Sequence, residues 1–125
     1  MAKEPLRVLT EPMFYVLLSL LRRERCGTEI MQFTDDTTAG RVILGPGTLY
    51  TILGKFQEER LIEETAVEGR RRTYRITERG RAAYARELRR LHQCLDDAAR
   101  SAREGGDVLG GTEDPGTAPV PLPAL

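Results

Sequence analysis

The chain has no tryptophan, a single histidine, two cysteines, and no apolar stretch approaching the ~18 residues a membrane span needs. Each scarcity removes a class of function. With His92 as the only imidazole, and no serine or cysteine beside an activating base in sequence, the nucleophile and base pair of a hydrolase is missing. His92 and Cys94 stand two apart on a helical segment and point in different directions, so they do not chelate together, although His92 and Asp96 share a face. Cys26 and Cys94 are separated by most of the chain and read as free thiols of a reducing compartment. No glycine-rich loop has phosphate-cradling or dinucleotide spacing. The longest apolar segment, residues 13–21, is broken by Ser19 and preceded by Glu4, Arg7 and Glu11, unlike a signal peptide. The expectation is a cytoplasmic protein that is not an enzyme, with no cofactor, no metal and no membrane partner.

What remains is one modest domain of 125 residues with a formal net charge of zero. The neutral total hides an uneven distribution. From Ser101 onward Arg103 faces Glu104, Asp107, Glu113 and Asp114, which leaves a basic body and an acidic tail.

Thr10-Glu11-Pro12 reads as the capped start of a first helix that is apolar nearly all round, closed by Arg22, Arg23 and Arg25 at the negative end of its dipole. A second helix starts at Gly27 and runs to about Thr37 or Thr38, with Gly40 ending it. Gly45-Pro46-Gly47 breaks the chain and Pro46 leads into a third helix over residues 48 to about 60. On that helix Leu49, Ile52, Leu53 and Phe56 gather into one arc, and Thr48, Tyr50, Thr51, Gly54, Lys55 and Glu58 lie opposite.

Two strand-like runs, residues 61–67 and 72–77, flank the turn signal Glu68-Gly69 and predict a β-hairpin. Thr77 and Glu78 open a long helix reaching about Arg103, with Gly80 as a weak point near its start. Along it Tyr84, Leu88, Leu91, Leu95, Ala98 and Ala102 alternate spacings of four and three, the seam of a helix that pairs with another. The fold class predicted is mainly α with a two-stranded β-wing (α+β). Its architecture is a winged helix-turn-helix carrying a long C-terminal dimerisation helix.

The turn Gly69-Arg70-Arg71-Arg72 is the sharpest chemical feature. Three adjacent guanidiniums repel one another, and phosphate neutralisation accounts for them better on a wing than a solvated charge run does. Thr48, Tyr50, Thr51 and Lys55 supply donors on the free face of the third helix, which otherwise reads as an ordinary polar surface. The long helix spans nearly 40 Å at ~1.5 Å per residue, more than the body it would lie on, so a second copy of the chain is its natural cover. Met13, Phe14 and Tyr15 are candidates for the other side of that contact, with core packing as the alternative.

Three blocks carry a resemblance. Leu9-Thr10-Glu11-Pro12-Met13-Phe14-Tyr15, Gly45-Pro46-Gly47-Thr48-Leu49-Tyr50-Thr51-Ile52-Leu53, and Arg71-Arg72-Thr73-Tyr74-Arg75-Ile76-Thr77-Glu78-Arg79-Gly80 follow one another in matching order. The chain resembles PadR-type transcriptional regulators of bacteria, of the shorter subclass with a single C-terminal helix. The resemblance implies a homodimeric repressor on an inverted-repeat operator, released by a small hydrophobic or aromatic effector. It also implies that Tyr50, Lys55 and Arg70 to Arg72 contact DNA and that the long C-terminal helix mediates dimerisation, for which the spacing singles out Tyr84, Leu88, Leu91, Leu95 and Ala98.

The chain departs from the family at Gly54, where a basic residue is usual, at Arg60, where glycine usually ends the helix, and at Thr28, where an aromatic is common. The expected division is a DNA-binding domain over residues 1–78, a dimerisation helix over 79–104, and a Gly/Pro-rich acidic tail over 105–125. The rival expectation is a winged-helix dimer that docks a protein or small molecule without recognising DNA.

Overall fold

The structure, a computed structural model, describes residues 8–105. Its elements are α1 (Glu11–Ser19), β1 (Arg25–Cys26), α2 (Gly27–Thr38), α3 (Pro46–Glu58), β2 (Ile62–Glu68), β3 (Arg71–Ile76) and α4 (Glu78–Glu104). The expected tail over 105–125 lies, apart from its first residue, outside the described residues.

Helix α1 starts as expected: the Thr10 side chain accepts from the Met13 amide at 3.3 Å, and Pro12 occupies the first turn. It stops earlier than expected. The amides of Leu20 and Leu21 turn back to Leu17 and Leu18 in a tightened last turn, so Arg22 and Arg23 lie beyond the helix. Arg25 still serves that terminus, because its Nε donates to the Ser19 carbonyl at 2.5 Å while its guanidinium lies 4.7 Å from the Phe33 ring centroid.

The wing expected as two strands has a third. Arg25–Cys26 pairs antiparallel with β3, Arg25 opposite Tyr74 and Cys26 opposite Thr73, giving the sheet order β1-β3-β2. A two-residue strand shows no alternation, so periodicity in the sequence cannot announce it. Between β2 and β3 the register shifts at Thr65, which leaves Glu64 opposite Tyr74 and Ala66 opposite Thr73. This extra residue bends the hairpin.

One core joins these pieces. Val16 and Leu17 of α1, Ile30 of α2, Leu49, Leu53 and Phe56 of α3, and Ile62, Tyr74 and Ile76 of the sheet are all buried together. The predicted arc on α3 is the face that packs.

The corner from α3 to β2 is a Schellman motif: the Leu61 amide donates to the Phe56 carbonyl at 2.8 Å and the Arg60 amide to Gln57 at 3.1 Å. Arg60 therefore sits at φ 60°, in the left-handed region that glycine would occupy without steric cost. Helix α2 ends the same way on Ala39 at φ 52°, one residue before Gly40.

Helix α4 opens with the Thr77 hydroxyl accepting from the Gly80 amide at 3.0 Å. The stretch up to Arg89 belongs to the first compact unit of the chain, and residues from Arg90 onward to the second. Within the first unit, Tyr84 is half-buried and stacks on Phe14 with ring centroids 5.1 Å apart, and Met13 packs against the core. Leu88 is half-buried. Within the second, Leu91 and Leu95 are exposed large apolar side chains, and Ala98 is exposed as well.

Candidate nucleic-acid interface

Burying Leu49, Ile52, Leu53 and Phe56 turns the other side of α3 outward. Thr48, Tyr50, Thr51, Gly54 and Gln57 are all exposed there, Tyr50 by about half of its surface. The Thr51 hydroxyl donates to the Gly47 carbonyl at 3.0 Å, which occupies its proton and leaves its lone pairs outward. The Tyr50 hydroxyl leans toward the start of α2, where a β-carbon on Gly27 would meet it at 2.9 Å.

The wing sits beside this face. Glu68 pairs with Arg71 across a two-residue turn, Gly69-Arg70, and Gly69 adopts φ 61°. Glycine first in such a turn is the type II′ pattern, which matches strand twist and leaves Arg70 at the tip. A groove of about 350 Å³ separates wing from helix, with Tyr50, Gly54 and Gln57 on one side and Arg70, Arg72 and Tyr74 on the other.

The three wing arginines are not equivalent. Arg72 Nη1 donates to Glu64 Oε1 at 2.8 Å, and this bond, with the Glu64 charge behind it, holds the guanidinium pKa above its ordinary value. Arg71 lies 3.7 Å from Glu29 at the first turn of α2. Among the described residues no carboxylate forms a salt bridge with Arg70. The Tyr74 phenol is pushed up, first by burial and then by the Glu64 charge.

Glu29 holds the neighbourhood together. Its Oε1 accepts from the Cys26 amide at 2.9 Å, and its carboxyl is held below its ordinary range by hydrogen bonds from Cys26 and by the charges of Arg23 and Arg71.

Of the residues singled out in the sequence, Tyr50, Arg70 and Arg72 converge on the groove. Thr48 and Thr51 share the exposed face outside it, and Lys55, half-buried, lies ~140° around the helix from Tyr50. Gln57 was not singled out, although it stands seven residues after Tyr50 and so on the same stripe. Glu64 was missed because a cross-strand carboxylate partner requires the strand register.

The match to known families decides what kind of protein carries this surface. Residues 16–86 match the Transcriptional regulator PadR-like family, more than half of the chain. The chain belongs to the PadR-like transcriptional regulator family. No curated protein shows significant sequence similarity to it.

Solved structures share the fold. A transcriptional regulator from Clostridium thermocellum superposes with a TM-score of 0.64 at 22% identity, covering 71% of this chain and 87% of that one. A PadR-like transcription factor from Bacteroides fragilis gives 0.57 at 22% identity, covering 71% and 86%. RosR of H. salinarum gives 0.57 at 20% identity, covering 74% and 96%.

This PadR-like regulator therefore has the winged-helix arrangement and belongs to a family of transcriptional regulators rather than of enzymes. Among the described residues no helix is long and apolar enough to cross a membrane, and no cluster of metal-ligating side chains is present.

Proposed function

We propose that this PadR-like regulator is a homodimeric, sequence-specific DNA-binding repressor acting on an inverted repeat. The observation that carries the reading is the groove in which an exposed recognition-helix face and two wing arginines converge. A hairpin tip bearing a guanidinium with no salt bridge among the described residues suits backbone phosphate, and the adjoining helix face suits the major groove. Thr48, Thr51 and Lys55 would add contacts beside Tyr50, Arg70, Arg71 and Arg72.

Dimerisation falls to α4. Leu91 and Leu95 expose apolar surface on a helix otherwise rich in charge, continuing the seam that starts at Tyr84 and Leu88, with Ala98 beyond. On this reading residues 1–78 form the DNA-binding domain and residues 79–104 the dimerisation helix. Two copies would present their α3 helices about one helical turn of DNA apart, ~34–36 Å. A small hydrophobic or aromatic effector at the dimer centre would complete the regulatory cycle.

The test is fluorescence anisotropy on a duplex selected by the protein from a randomised pool, with sedimentation to count subunits. Binding as a dimer, weakening steeply with salt, is the expected result. Salt-independent binding, or a monomer on DNA, contradicts it. Glu64 engaging Arg72 favours the second reading, a winged-helix dimer that docks a protein or small molecule without DNA recognition. A pull-down recovering a protein and no DNA would support that reading instead.

A further inference from the structure

Glycine in a helix interior needs a reason, because it costs helix stability relative to alanine. Gly54 lies in the third turn of α3, flanked by Leu53 and Lys55, and nothing among the described residues supplies that reason. A β-carbon built on it meets no atom of the described residues within 4 Å, and its φ is not in the left-handed region. Gly80 shows the opposite case, where a β-carbon would collide with the Leu61 carbonyl oxygen at 2.1 Å. The fold therefore requires glycine at 80 and does not require it at 54.

The position of Gly54 is specific. It lies on the wall of the groove between α3 and the wing, with Tyr50 and Gln57 one turn to either side and Arg70 and Arg72 across the gap. The surrounding groups can hold a polyanionic strand: guanidiniums for phosphate oxygens, and a phenol and a carboxamide for hydrogen bonds to sugar, phosphate or base edges, while the Glu64 carboxylate that also lines the groove is engaged by Arg72.

We infer that Gly54 is a clearance residue: one sugar–phosphate strand of the bound duplex runs through this groove and packs directly on the bare helix backbone at Gly54. The inference rests on the DNA-binding reading and sharpens it. Close backbone approach takes the place of a side-chain contact at this position, and neutralisation falls to Arg70 across the gap. Because a strand seated this deeply fixes how far α3 enters the groove, Gly54 becomes a determinant of which sequences can be read.

The experiment compares the full chain with Gly54→Ala and Gly54→Lys. Thermal melting is measured first, then anisotropy on the duplex selected by the wild type and on a mixed-sequence duplex at low salt. Gly54→Ala is expected to melt higher than wild type, since helix propensity rises and nothing is displaced in the free protein. It is also expected to lose affinity for the selected duplex by about tenfold or more, the scale of one overpacked contact. A stabilised protein that binds worse is a combination a merely structural role does not produce.

Binding of Gly54→Ala within about twofold of wild type overturns the inference. Tighter binding by Gly54→Lys does so too, since it would make the position an ordinary phosphate contact lacking its base. Should the wild type itself bind neither duplex, the DNA-binding reading fails, and that outcome is distinct from both.

Discussion

Gly80 lies so close to Leu61 that a β-carbon on it would stand 2.1 Å from the Leu61 carbonyl oxygen and 2.7 Å from the Ile76 side chain. The same carbonyl accepts the Thr77 amide at 3.0 Å, and the Thr77 hydroxyl donates to the Arg60 carbonyl at 2.7 Å. The start of α4 is thus pinned against the α3–β2 corner by backbone contact, which fixes the wing strands relative to α3.

Gly80→Ala is consequently expected to destabilise, although alanine is the better helix former. A backbone carbonyl cannot move aside as a flexible side chain would, so the cost should reach the upper end of overpacking, ~3 kcal/mol, offset by at most ~1 kcal/mol of propensity. A circular-dichroism melt checks it through a melting point lowered by roughly ten degrees. An equal or higher melting point would contradict the close packing.

Arg60 holds a left-handed conformation at the C′ position of the Schellman motif that ends α3. Arg60→Gly should stabilise by about 1 kcal/mol, because the strain removed exceeds the entropy glycine adds to the unfolded chain. Urea denaturation with an unchanged m-value and a higher midpoint is the expected result.

Glu29 gives a pH dependence. Its folded-state pKa is lowered by the Cys26 hydrogen bonds and by Arg23 and Arg71, so its stabilising contribution is complete above the ordinary carboxyl value of 4.5. The contribution is lost as pH falls through the lower folded value. Glu29→Gln should be less stable than wild type at neutral pH, and the difference should shrink as the solution is acidified below that range. A constant difference across pH would show that the charge is not involved.

Arg70 and Glu64 separate the wing's roles. Arg70→Ala should weaken DNA binding about equally across sequences and reduce the salt slope by about one, as loss of a phosphate contact does. Glu64→Gln should raise affinity severalfold, because it releases Arg72 from its 2.8 Å partner. Anisotropy titrations at several salt concentrations read both effects. Weaker binding by Glu64→Gln would mean that Glu64 orients Arg72 for its contact.

Much of this arrangement was legible in the sequence, for identifiable reasons. The α3 arc of Leu49, Ile52, Leu53 and Phe56 has strict helical spacing, and Gly69 marks a turn whose chemistry is local. The limits are equally physical. β1 holds only Arg25 and Cys26, too few residues to show a period, and α1 ends at Ser19 through a tightened turn that no breaker residue signals. Gly80 read as a weakness because its need is tertiary: the Leu61 carbonyl that requires it lies nineteen residues away. The pairing of Arg72 with Glu64 depends on the strand register that sets Glu64 opposite Tyr74, two residues along from Arg72, and composition cannot reveal a register. At the candidate site, Tyr50, Arg70 and Arg72 were found by residue type, whereas Gln57 needed the location of the groove.

Phosphate neutralisation by the wing is tested most directly by the salt dependence of DNA affinity for the wild type and for the Arg70→Ala/Arg71→Ala/Arg72→Ala triple variant on the same duplex. A large loss of affinity is expected, with a slope of log affinity against log salt shallower by about two to three, as each neutralised phosphate contributes roughly 0.9. A correctly folded triple variant with wild-type affinity and an unchanged slope would contradict it.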